Sequence, residues 1–112
     1  MKVGVRDHFD SSHLLPGHPK CGVPHGHTYA VEVTVEGPVV DGMVIDFGHL
    51  KRHVRETIKA FDHTDLNKLL PMPSCENLCA EFVKRLKPAL GEGRRLTVRI
   101  WEGDGKWAEL DG

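Results

Sequence analysis

The first third of the chain alternates apolar and polar residues with a period of two. Val3, Val5 and Phe9 share one parity, which predicts a strand over about residues 2–9. Tyr29, Val31, Val33 and Val35 alternate with Ala30, Glu32, Thr34 and Glu36, the pattern of a half-buried strand. Residues 10–27 between them are rich in Pro, Gly and His and read as a loop. Gly37-Pro38 and Asp41-Gly42 bracket a turn, and residues 42–47 read as a short edge strand. The period then becomes helical. Phe47, Leu50, Val54, Ile58 and Phe61 recur on one helix face, and Lys51, Arg52, Arg55, Glu56 and Lys59 cover the other. A second helix starts after Pro71-Met72-Pro73, with Ser74 as N-cap and Glu76 at the positive end of the dipole. Cys75, Leu78, Cys79, Phe82 and Leu86 form its apolar stripe, and Pro88, Gly91 and Gly93 end it. Period two returns in Leu96, Val98 and Ile100, and Gly103-Asp104-Gly105 turns the chain into a last strand.

The order strand, strand, helix, helix, strand, strand (ββααββ) predicts an α+β fold. One four-stranded antiparallel sheet would carry two helices on one face. A chain of 112 residues is one domain, residues 1–112. So small a sheet leaves two open edges, and edge-to-edge oligomerisation is expected.

Charge narrows the function. Lys+Arg total 15 and Asp+Glu total 16, so there is no basic excess for nucleic acid or an anionic membrane. No apolar run approaches the roughly 18–20 residues of a membrane span, and the N-terminus lacks the apolar stretch of a secretory signal. Three cysteines do not make a disulfide framework. These features predict a cytoplasmic protein. Histidine is the abnormal count, eight in all.

His25-Gly26-His27 precedes the second strand. Alternate residues of an extended chain point the same way, so both imidazoles can meet one metal. His13 reaches the same point if the first two strands pair. Three neutral imidazoles suit zinc and leave a fourth position open. Cys21 reads as a fourth ligand, a nucleophile or base, or an inert small residue; cations nearby would favour its thiolate. Asp62-His63 follows the first helix, and a carboxylate beside an imidazole can set its tautomer for acid–base work. Glu102 ends the third strand, where a carboxylate can accept two hydrogen bonds from an amidine-like ring edge. His8, His18, His49 and His53 read as surface residues, Cys75 and Cys79 as core, and Trp101 and Trp107 as packing residues.

Several blocks together resemble one family. They are Phe9-Asp10-Ser11-Ser12-His13; Cys21-Gly22-Val23-Pro24-His25-Gly26-His27-Thr28-Tyr29; and Met43 to Lys51. Phe61 to Asn67, Pro73 to Leu78, and Trp101-Glu102 follow in the right order. They resemble the 6-pyruvoyltetrahydropterin synthase and 6-carboxytetrahydropterin synthase family. The resemblance implies the T-fold, with sheets joined between subunits into a barrel, commonly a homohexamer of two trimers. It implies zinc on His13, His25 and His27 and Cys21 as the base. It implies His63, oriented by Asp62, as the acid–base partner reaching in from a neighbouring subunit. Glu102 would anchor a pterin ring, in a pocket lined by the block holding Ser74 and Glu76. Three departures stand out: Ser74 replaces a usual Thr, Cys75 replaces a more common small residue, and Gly103 follows Glu102 where the family often has Thr.

Three residues separate Cys21 from His25, the spacing of the carboxy-forming branch in queuosine and deazapurine biosynthesis. The resemblance therefore implies a zinc-dependent lyase converting 7,8-dihydroneopterin triphosphate to 6-carboxytetrahydropterin, acetaldehyde and triphosphate. Lys20, Arg6 and His18 are candidates for the triphosphate. Rival readings are pyruvoyl formation, aldolase-type cleavage of dihydroneopterin, a cupin, and a non-enzymatic zinc-binding module. The central helices and the parity of Glu32, opposite to His25 and His27, argue against the cupin.

Overall fold

The computed structural model describes all residues, 1–112. The strands are β1 (Lys2–His13), β2 (His25–Glu36), β3 (Arg95–Glu102) and β4 (Lys106–Asp111). The helices are α1 (Phe47–Lys59) and α2 (Cys75–Leu90), and a short 3-10 turn spans Leu66–Lys68. The sheet runs β1-β2-β3-β4, each neighbour antiparallel. This is the four-stranded α+β arrangement that the alternation predicts.

Register decides which side chains share a face. Val5 pairs with Val33, Phe9 with Tyr29, and His13 with His25. Phe9, Tyr29, Val31, Val33 and Val35 are buried, with Leu96, Val98 and Ile100 of β3 beside them. α1 crosses β1, and α2 crosses β3 and β4, so both helices cover this one face. Leu50, Val54 and Ile58 of α1 and Leu78, Phe82 and Leu86 of α2 complete the core. Phe61 and Phe82 pack at 4.7 Å between ring centres, and Phe9 stacks on Tyr29 at 4.8 Å. The other face carries no helix. There Trp101 donates to Glu32 at 2.6 Å, and the Arg99 guanidinium lies 4.0 Å above the Trp107 ring. Both tryptophans therefore pack, though Trp107 stays half exposed.

Four expectations need correction. β1 does not stop near residue 9; it continues to His13. Hydropathy fades over Asp10-Ser11-Ser12, but long-range bonds hold the strand. The Ser11 hydroxyl donates to the Phe61 carbonyl, and Ser12 N donates to Thr64 O at 3.1 Å. Second, β2 begins at His25, so the loop shrinks to residues 14–24 and both histidines belong to the strand. Third, residues 42–47 make no strand, only a bridge between Val40 and Met43. Asp46 instead caps α1, accepting from Gly48 N at 2.7 Å, and Phe47 is 54% exposed. Fourth, α2 passes through Pro88 and ends at Leu90. Pro88 lies in the exposed last turn, where it removes one backbone donor, and the helix ends two residues later.

No helix is long and apolar enough to cross a membrane.

Candidate functional site

The odd positions of β2 read His25, His27, Tyr29, Val31, Val33, Val35, all on the helix-covered face. The site is therefore the upper end of the core plane, where imidazoles replace valines. His13 joins from β1 because its register partner is His25. The metal-capable nitrogens of His13, His25 and His27 all lie within 4.8 Å of one another.

The bonds around the rings fix their tautomers. His13 Nδ1 lies 2.8 Å from the Pro73 carbonyl, which can only accept, so Nδ1 carries the proton. The Tyr29 hydroxyl is 3.2 Å from the same nitrogen. His25 Nδ1 likewise donates to Val23 O at 2.8 Å. The two Nε2 atoms face each other at 3.0 Å. With both rings neutral, their lone pairs meet there, and a shared proton or a bound cation relieves the repulsion. His27 Nε2 is buried with no hydrogen-bond partner. Glu102 Oε1 lies 3.4 Å from it without forming a hydrogen bond. Burial pushes the His27 pKa down, against the pull of Glu102, and the other two rings push it the same way. Three neutral imidazoles with an orphaned nitrogen fit a borderline-soft divalent ion such as zinc. Backbone carbonyls on the far ring nitrogens are the usual outer support of such a centre.

Glu102 also lies 3.3 Å from Lys106 Nζ. Its charge, after burial itself, helps push the Tyr29 phenol well above its ordinary pKa, so Tyr29 stays a neutral hydroxyl. Ser74 caps α2, accepting from Asn77 N at 3.2 Å, and Glu76 stands exposed in the first turn. The cap matters to the histidine trio because Pro73, one residue earlier, supplies the carbonyl for His13. Cys75 and Cys79 donate to Ile100 O at 3.1 Å and Ala108 O at 3.2 Å. Burial pushes their thiols up to about 11 and about 12, so both are neutral packing groups.

Cys21 is half-buried in the 14–24 loop, and its sulfur does not come within 4.8 Å of all three ring nitrogens. Asp62 and His63 form a separate group. Asp62 Oδ1 accepts from Asp10 N at 3.0 Å and lies 2.9 Å from His63 Nδ1 as an ion-pair contact. The backbone N–H of Asp10, and then His63, hold this carboxyl below the usual range. His63 takes a left-handed backbone, φ 53°, and its N–H donates to Asp10 O at 2.7 Å. Such a conformation costs a non-glycine residue on the order of 1 kcal/mol, and the edge of β1 holds it in place. The His63 ring is 79% exposed and makes no bond to His13, His25 or His27 within the chain. His27 and His63 border one open cleft of about 740 Å³, lined throughout by polar residues including Asp10, Thr28 and Lys68.

Three participants escaped the sequence reading. The Pro73 carbonyl is a backbone group with no residue signature. Tyr29 was assigned to the core by parity, and it is core, but its hydroxyl touches His13. Asn67 clamps the loop start: its amide oxygen accepts from Leu14 N at 2.8 Å and its nitrogen donates to Leu14 O at 3.0 Å.

The sequence matches the family described as 6-pyruvoyl tetrahydropterin synthase over residues 2–112. An Archaeoglobus fulgidus protein, provisionally named a 6-carboxy-5,6,7,8-tetrahydropterin synthase, is 43% identical over 98% of this chain and 95% of its own. A Pyrococcus furiosus protein named dihydroneopterin monophosphate aldolase is 38% identical over 78% of this chain and 77% of its own. Among solved structures, the Caenorhabditis elegans 6-pyruvoyl tetrahydropterin synthase superposes with a TM-score of 0.90 at 23% identity, over 100% of this chain and 95% of that one. That likeness establishes the T-fold. With nearly its whole length matched in both sequence and fold, the chain belongs to the 6-pyruvoyl tetrahydropterin synthase family.

Proposed function

We propose that this protein is a zinc-dependent 6-carboxy-5,6,7,8-tetrahydropterin synthase, a lyase acting on 7,8-dihydroneopterin triphosphate. With one water consumed, the products would be 6-carboxytetrahydropterin, acetaldehyde and triphosphate, in queuosine or deazapurine biosynthesis. The reading is carried by the three converging imidazoles beside Glu102, and supported by the 43% identical relative. His13, His25 and His27 are the residues to hold zinc. When bound, zinc supplies Lewis-acid polarisation of the substrate's side-chain oxygens.

The chain's own groups divide the remaining work. Glu102 accepts the ring-edge N–H groups of the pterin and sets where its side chain lies. Ser74 and Glu76 lie in the block proposed to line that pocket. The Cys21 thiolate removes a side-chain proton. Asp62 holds the proton of His63 on Nδ1, so Nε2 is the atom that accepts and returns protons. Because His63 is exposed and apart from the trio, the proposed working unit is a homo-oligomer, a hexamer of two trimers. In it His63 of one subunit serves the trio of the next.

Aldolase-type cleavage is the second reading, favoured by the Pyrococcus furiosus relative. A product assay separates the two. The zinc-loaded protein is given 7,8-dihydroneopterin triphosphate, the pterin is identified by mass and the fragment by trapping. A carboxypterin with acetaldehyde supports the synthase. A hydroxymethylpterin would move the protein to the aldolase reading, and a pyruvoyl product to the sister synthase. No turnover by a metallated oligomer would leave a zinc-binding module on the same scaffold.

A further inference from the structure

The loop carrying Cys21 has no regular secondary structure, yet a base must be placed to within a fraction of an ångström. Its order has a visible source. His18 Nδ1 accepts the backbone N–H of Cys21 at 2.9 Å and, as a longer arm, that of Lys20 at 3.2 Å. His18 N donates to Leu15 O at 3.0 Å, and Leu15 N donates to Cys21 O at 2.6 Å. Cys21 is thus held at both of its backbone polar groups. The turn is tight: a Cβ on Gly22 would lie 2.6 Å from the His18 carbonyl oxygen, so only glycine fits there. The far end of the chain of bonds is the Asn67 clamp on Leu14, in the segment that follows Asp62 and His63.

We propose that His18 is a positioning residue for Cys21, acting through the Nδ1 lone pair that holds the Cys21 backbone. This rests on the reading of Cys21 as the base. It replaces the expectation that His18 is a plain surface group or a phosphate ligand. Accepting at Nδ1 requires the neutral ring with its proton on Nε2. The imidazole here does what an Asn or Asp side chain does in an Asx turn, satisfying N–H groups two and three residues ahead. Asn places its Oδ1 the same number of bonds from Cα as His places Nδ1. Phe keeps the ring and removes the acceptor. The two substitutions therefore isolate the lone pair from the bulk of the side chain.

The test uses the zinc-loaded oligomer as H18F and H18N, with three readouts: turnover, zinc content, and the pH profile of Cys21 alkylation. Alkylation is followed on the Cys21 peptide by mass, which separates it from Cys75 and Cys79. H18F is expected to keep zinc and to lose about 10- to 100-fold in kcat, the scale of an ångström-level misplacement. KM should hardly move, and the alkylation profile of Cys21 should shift. H18N is expected to recover most of the turnover and the parent alkylation profile. An H18F protein with unchanged kcat and unchanged profile overturns the proposal. So does an H18N protein as impaired as H18F, because the acceptor would then not be what matters. A Cys21→Ala protein with full activity would sink the base assignment instead. The Cys21 alkylation profile in wild type and H18F would still report on the turn.

Discussion

One face of β2 holds two different environments in a single line of residues. Val31, Val33 and Val35 lie under the helices, fully buried in the apolar core cluster. His25 and His27, on the same face of the same strand, meet His13 and Glu102. Backbone geometry is the same in both halves, so the contrast is one of side-chain solvation. The valine half stabilises the fold by leaving water. In the histidine half a polar nitrogen is buried without a partner, which opposes folding until something binds it. Folding and binding are thus assigned to opposite ends of one strand, and substitutions can separate them.

The sharpest separation is His27→Ala. It should abolish activity and reduce metal content to near none, measured by elemental analysis of the purified protein. The metal-free protein should be no less stable to urea than the metal-free parent, because an unsatisfied buried nitrogen has been removed. A fully metallated His27→Ala protein would end the ligand assignment. Cys21→Ala comes next. It should retain zinc and lose at least about a hundredfold in turnover, the low end for acid–base catalysis. Loss of zinc in that variant would make Cys21 a ligand. Val33→Ala is the opposite probe. Removing two buried methyl groups should cost roughly 2 kcal/mol in urea unfolding while metal stoichiometry stays at the parent value.

The smallest effect concerns Asp62. Its folded pKa lies below the unfolded value, chiefly because Asp10 N donates to it and then because of His63. Its contribution to stability is therefore full above the ordinary carboxylate pKa and fades as pH falls through the lowered folded value. Asp62→Asn should make the acid side of the stability–pH curve shallower and leave pH 7 to 8 flat. An unchanged acid slope would show that the Asp10 and His63 bonds add nothing to folding.

Much of this contrast was legible in the sequence, because periodicity reports which residues share a face. The strands, the helices and the convergence of His25 with His27 follow from spacing alone. β1 was read short because Asp10, Ser11 and Ser12 carry no hydrophobic alternation. Their strand conformation is imposed by β2 and by residues 61–64. Residues 42–47 misled in the other direction: Met43, Val44 and Ile45 look strand-like, but Asp46 starts a helix as its cap. The imidazole tautomers were beyond reach, since backbone carbonyls of Pro73 and Val23 set them. The same holds for the His18 turn, whose acceptor is a ring nitrogen rather than a familiar turn residue.

The twelve-residue register between β1 and β2 has an evolutionary corollary. Slipping either strand by one residue would send every imidazole and every core side chain to the wrong face together. A one-residue length change inside the paired strands therefore shifts fold and site together unless a bulge absorbs it. The 14–24 loop is different. It opens and closes at the fixed pair His13 and His25, so residues can be inserted or deleted there without disturbing the sheet. Cys21 sits in that loop, while His13, His25 and His27 sit in the paired strands. A change of loop length would therefore move Cys21 relative to the three imidazoles without moving the imidazoles relative to one another.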